Sequence, residues 1–121
     1  MKRVLVIDDE AQIRMMLRQM LEREGYDVET ASDGGEGIRL FCENPFHLII
    51  TDILMPEKEG VETIMELKKK FPDIKIIAIS GGGRMGPEPY LRMARSTGAM
   101  RTLAKPVDRE EMLRAIRELL E

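Results

Sequence analysis

The chain contains one cysteine, Cys42, and one histidine, His47, in 121 residues. A single cysteine excludes an internal disulfide and a thiolate metal cluster, which suits a reducing compartment. Positive charge is not in surplus either. Nineteen basic side chains stand against 22 acidic ones, a formal net charge of -3, so nothing draws the chain as a whole to nucleic acid or an anionic membrane. Direct DNA binding is not expected. Long apolar runs are also missing: Val4-Leu5-Val6-Ile7 meets Asp8-Asp9 after four residues, too short for a signal-peptide core or a membrane span. A cytoplasmic protein without membrane contact follows. There is no low-complexity stretch and no linker, so residues 1–121 read as one domain, large enough to bury a core without metal or disulfide staples.

What the chain does have is a fivefold alternation of β-type apolar runs with helix-period segments. That pattern argues for an α/β fold, a parallel sheet with helices on both faces. The expected strands are Arg3 to Ile7, Asp27 to Ala31, His47 to Thr51, Ile74 to Ile79 and Ala99 to Leu103 or Ala104. The second is the least apolar, as suits an edge. The first helix, Ala11 to Glu24, turns Ile13, Leu17, Met20 and Leu21 inward and ends at Gly25. Asp33 and Glu36 have capping-box spacing at the start of the second helix, as do Asp108 and Glu111 at the start of the fifth. The second helix should bury Ile38, Phe41 and Cys42 and stop before Pro45. Val61, Ile64, Leu67 and Phe71 form the stripe of the third, whose Lys68-Lys69-Lys70 suits a helix C-terminus. A short fourth helix runs from near Pro87 to Gly98, and the fifth buries Met112, Leu113, Ile116, Leu119 and Leu120.

Chemistry concentrates at the strand ends. Leu48-Ile49-Ile50-Thr51 stops at Asp52, and Pro56 follows four residues later, which places Asp52 at the C-terminal tip of the third strand. In an open α/β sheet ligands bind outside those tips. The other tips carry Asp8-Asp9, Ser80 and Lys105. If the strand order is 2-1-3-4-5, Asp8, Asp9 and Asp52 flank the crevice where the order reverses. Converging carboxylates raise one another's pKa unless a cation sits among them. Mg²⁺ is the natural candidate, since it takes one or two carboxylates and commonly awaits a phosphate oxygen. Lys105 adds a movable positive charge and Ser80 a hydroxyl donor. Metal, lysine and hydroxyl around a carboxylate nucleophile are what phosphoryl transfer requires. Singly, Asp9 could be a helix cap, Ser80 a turn former and Lys105 a solvated lysine; their joint placement carries the argument.

Asp8-Asp9, Asp52 followed by Met55-Pro56 and Gly60, Ser80, and Lys105-Pro106 resemble the receiver domain of two-component response regulators, over essentially the whole chain. The resemblance implies a flavodoxin-like, doubly wound five-stranded sheet of order 2-1-3-4-5, in a stand-alone receiver with no output domain. By the same likeness Asp52 accepts a phosphoryl group from a phosphohistidine on a sensor histidine kinase or a histidine phosphotransfer protein. Asp9 and Asp52 would bind Mg²⁺ directly, with the Leu54 carbonyl as a further ligand and Asp8 acting through water. Lys105 would bridge to the acyl phosphate, its bond to Pro106 in the cis form, while Ser80 moves toward the phosphoryl group. Such a domain is no classical enzyme but assists its own phosphorylation and dephosphorylation. Its output would be altered partner binding on the face of the fourth helix, fifth strand and fifth helix, as a monomer or weak dimer.

The chain departs from the family pattern in two respects. Thr102 stands where many receivers carry an aromatic switch residue, which shifts the expected signal to the fourth helix and its glycine-rich approach, with Tyr90 as a candidate. Leu54 and Gly82 lack the polar groups that influence attacking water, which predicts a long-lived phosphoryl state.

Competing chemistries fare worse. Gly81-Gly82-Gly83-Arg84-Met85-Gly86 lacks the Gly-Lys-Ser/Thr ending of a P-loop. Haloacid-dehalogenase-type phosphatases place an Asp-x-Asp after the first strand and need a cap insertion, whereas this chain reads Asp8-Asp9-Glu10 and has none. A serine hydrolase would need His47 near Asp52, but the two lie at opposite ends of one strand, ~16 Å apart at about 3.3 Å per residue. A flavodoxin-like flavin carrier would want a hydroxyl- and glycine-rich phosphate loop where this chain has acids.

Overall fold

The computed structural model describes residues 1–53, 60–81 and 88–121, the side chains of 88–91 excepted. Strands β1 (Arg3–Ile7), β2 (Asp27–Ala31), β3 (Leu48–Asp52), β4 (Ile76–Ser80) and β5 (Arg101–Ala104) alternate with helices α1 (Ala11–Arg23), α2 (Gly34–Glu43), α3 (Gly60–Lys70), α4 (Glu88–Thr97) and α5 (Arg109–Leu120). All four pairings are parallel, in the order β2-β1-β3-β4-β5 that the family resemblance implies.

Alternation along each central strand divides its side chains between two cores. Leu5, Ile7, Ile49 and Ile76 pack with Ile38 and Phe41 of α2, Ile64 and Leu67 of α3 and Ala94 of α4. Val4, Val6, Leu48, Ile50, Ile77 and Ile79 pack with Leu17 and Leu21 of α1 and Met112 and Ile116 of α5. Apolar residues on both faces explain why β1, β3 and β4 read as near-continuous hydrophobic runs. β2, at the margin, is buried at Val28 and Ala31 but exposed at Asp27 and Glu29.

Several expectations need correction. Cys42 is exposed rather than in the core. The inward stripe of α2 is Gly34, Gly37, Ile38 and Phe41, and Phe46 beyond the helix end joins the same core. Leu119 and Leu120 are only partly buried, as are Ile13, Val61 and Phe71. The strands begin later than expected, β3 at Leu48, β4 at Ile76 and β5 at Arg101, and β3 and β4 include Asp52 and Ser80 as their last residues. No described helix is long and apolar enough to cross a membrane.

Candidate functional site

Parallel strands put every C-terminal tip on one edge, and there the residues singled out above meet. Asp8 follows β1 and is fully buried; its backbone N–H donates to the Ala31 carbonyl at 3.1 Å, and Arg14 Nη1 donates to the Asp8 carbonyl at 2.8 Å. The Asp8 side chain turns back on its own loop, Oδ1 accepting the Glu10 N–H at 2.9 Å. Asp52 ends β3 at 2% exposure. Its carbonyl accepts the Thr51 hydroxyl at 2.9 Å, and the next residue is pinned by the Ile53 N–H to the Ile79 carbonyl at 3.1 Å. Gly60 opens α3 directly against this strand end. A Cβ there would overlap the Asp52 carbonyl oxygen and the Ile53 backbone.

Lys105 reaches in from the end of β5, anchored by its backbone N–H to the Ser80 carbonyl at 2.9 Å. Its ammonium stands 3.0 Å from Asp8 Oδ2, 3.1 Å from Asp52 Oδ2 and 3.3 Å from Glu10 Oε1. One cation thus holds two buried carboxylates and one exposed one. Burial opposes the ammonium form, but contacts with Asp8 and Asp52 outweigh it and hold Lys105 well above the ordinary lysine value. Asp8 is pushed the other way for an acid. Burial raises its pKa, the Glu10 N–H and Lys105 pull it down, and Asp52 raises it again. The approach of Lys105 to Asp8 Oδ2 has ion-pair distance without hydrogen-bond alignment, which leaves that buried oxygen with no hydrogen-bond partner among the described residues.

Such an oxygen is suited to a metal ion or its water. Carboxylate oxygens of Asp8, Asp9 and Glu10 lie within 4.8 Å of one another, an all-oxygen set of the kind that hard divalent cations take. Asp9 is exposed, and Asp52 joins the cluster through Lys105 rather than as one of those three. Ser80 is fully buried at the end of β4, beside Lys105 on the same edge. Leu54 and Gly82 lie outside the described residues, as does the side chain of Tyr90. The Lys105–Pro106 bond is cis. Glu10 was missed as a partner of Lys105. Its signal was a third consecutive acid at the N-cap of α1, where the side chain makes no capping bond.

Comparison with known proteins agrees with this geometry. The family model described as response regulator receiver domain matches residues 4–117. The chain is 34% identical over 119 residues to the chemotaxis protein CheY of Thermotoga maritima, covering 98% of this chain and 97% of that one. It is 32% identical over 118 residues to the transcriptional regulatory protein GlrR of Escherichia coli, covering 98% of this chain but 26% of the relative, so it spans about a quarter of that protein. Among solved structures, the response regulator protein TrrA of Thermotoga maritima in complex with Mg²⁺-BeF superposes with a TM-score of 0.89 at 35% identity, covering 99% of this chain and 100% of that one. With the sheet order, the buried acids and the bridging lysine, these matches place the chain in the response regulator receiver domain family, the phosphoacceptor domains of two-component signalling.

Proposed function

We propose that Asp52 is the phosphoacceptor, taking a phosphoryl group from a phosphohistidine on a sensor histidine kinase or histidine phosphotransfer protein. The observation that carries this reading is the Lys105 bridge between two buried carboxylates, one with an oxygen lacking a hydrogen-bond partner among the described residues. An Asp52 carboxylate oxygen forms the new P–O bond as the donor's N–P bond breaks, and the histidine nitrogen keeps the electron pair. Lys105 stays close enough to Asp52 to neutralise the incoming oxygens, and Ser80 supplies a hydroxyl on the same edge. Asp8, Asp9 and Asp52, with the Leu54 carbonyl, would hold Mg²⁺, and Glu10 adds negative charge to that set. Bound there, Mg²⁺ supplies charge neutralisation at the phosphoryl oxygens. The chain thereby assists its own phosphorylation in the cytoplasm, as a monomer or weak dimer. Phosphorylation then alters the affinity of the α4–β5–α5 face for a downstream protein.

Intact mass after incubation with Mg²⁺ and acetyl phosphate tests the acceptor. One metal-dependent phosphoryl adduct is expected in the wild type and none in Asp52→Asn. An adduct that persists in the variant would place the acceptor elsewhere.

A further inference from the structure

Opposite the acceptor edge, at the N-terminal ends of β1, β3 and β4, lies an open groove of about 460 Å³. All three phenylalanines of the chain line it. The Phe41 ring centroid is 4.6 Å from that of Phe71 and 6.1 Å from that of Phe46, so Phe71 rests on the aromatic part of the core. Phe41 and Phe46 are buried beneath it, the Arg3 guanidinium lies over the Phe46 ring 4.2 Å from its centroid, and half-exposed Phe71 is the ring the groove presents.

The rim is cationic. Lys2, Lys70 and Lys75 line the groove against one carboxylate, Asp73. These lysines are weakly committed elsewhere: Lys70 pairs with Glu66 of its own helix at 3.4 Å, a partly solvated contact of small worth, and Lys75 Nζ donates to the Leu119 carbonyl. Lys2 has no ion-pair partner among the described residues. His47 adds a donor, because its Nδ1 accepts the Arg3 backbone N–H at 2.9 Å and the proton of the neutral ring is then on Nε2. Phosphoryl transfer at Asp52 uses none of these groups.

We propose that this groove binds a small organic anion of the aromatic carboxylate class, its ring against half-exposed Phe71 and its carboxylate at the lysine rim. The volume is that of a small-molecule site, for which about 300–1,000 Å³ is usual, whereas a protein partner needs roughly 800 Å² of surface per side. Charge complementarity selects an anion, and the Phe71 ring favours a flat apolar body.

Amide-resolved NMR titration of the full chain, without metal or phosphodonor, tests this with indole-3-acetate and its uncharged analogue indole-3-acetamide. The acid should give saturable shifts confined to residues around 45–47 and 71–75. The amide, and the acid on a Lys2→Glu/Lys70→Glu double variant, should bind at least about tenfold more weakly. Equal affinity for acid and amide on the wild type would overturn the proposal whatever the variant does. So would shifts scattered over the whole lysine-bearing surface, or no saturable shift in the groove. Asp52→Asn should titrate like the wild type, which separates this site from the acceptor reading.

Discussion

Lys105 is the residue on which the charge balance of the acceptor edge rests. Replacing it by methionine removes the ammonium that stands between the buried carboxylates of Asp8 and Asp52. Removing one partner of a buried pair costs about 3–5 kcal/mol, and the lysine's 12% side-chain exposure lets water recover a little. Lys105→Met is therefore expected to lose about 2–4 kcal/mol in urea denaturation with chelator present, and to regain part of it when Mg²⁺ is added. A variant as stable as the wild type without metal would show that the two acids do not both ionise. Asp8 provides the pH dependence. Burial, opposed by the Glu10 N–H and Lys105 and reinforced by Asp52, holds its carboxyl above the ordinary 3.8. Between 3.8 and the raised value the folded chain binds more protons than the unfolded one, so this group's contribution to stability falls as pH rises through that window. Asp8→Asn removes the effect. Its metal-free stability relative to wild type should accordingly climb as pH rises above 3.8 and level off once the raised value is passed, and a difference that stays flat as pH rises from 3.8 would contradict the shift.

Helix starts show what the sequence made legible and what it hid. The Asp-x-x-Glu spacing read at residues 33–36 and 108–111 is realised as caps: Asp33 accepts the Glu36 N–H at 2.8 Å and Asp108 the Glu111 N–H at 3.0 Å. At the first of these Glu36 also reaches back to the Ser32 N–H at 3.2 Å. Local geometry decides such bonds, so local sequence announces them. Asp33→Ala and Asp108→Ala should each cost about 1 kcal/mol in thermal or urea unfolding, and no loss in either would mean that water replaces the cap. Cys42 differs from its expected place because it adjoins the apolar pair Ile38 and Phe41 in sequence, while the buried face of α2 runs through Gly34, Gly37, Ile38 and Phe41 and leaves it exposed. The strand tips were legible because apolar runs stop abruptly at Asp8, Asp52 and Ser80. The engagement of Glu10 by Lys105 joins positions 95 residues apart, and no local pattern encodes it. Gly60 belongs to this second kind. Its need for hydrogen in place of a side chain arises where α3 meets the end of β3. Gly60→Ala should cost about 3 kcal/mol and slow phosphorylation by acetyl phosphate, because the helix must retreat from the Asp52 carbonyl or push it out of line. Unchanged stability together with an unchanged rate would show that the helix start yields without moving the acceptor.

Across the whole molecule, the edge that holds Asp52 must be connected to a face that a partner can read. β4 and β5 supply a direct route: Ser80 ends β4 opposite Ala104, its carbonyl holds Lys105, and Thr102 lies two residues back along β5. Thr102 stands where an aromatic switch residue is usual in the family, and in this chain its Oγ1 accepts a hydrogen bond from Arg95 Nη1 of α4 at 2.9 Å. A side chain that ties β5 to α4 can report strain in the strand as looseness in the helix, with no ring to swing. Thr102→Val keeps the shape and removes the acceptor. At about 0.5–1.5 kcal/mol for one hydrogen bond, amide exchange in the α4 segment 92–97 should accelerate roughly two- to tenfold in the unphosphorylated variant. Phosphoryl addition at Asp52 should be unaffected, because the substituted group touches none of the acceptor residues. The informative comparison is the response to phosphorylation. If the bond transmits the signal, exchange in α4 changes on phosphorylation in the wild type and much less in Thr102→Val; if both respond equally, the signal reaches α4 without passing through β5.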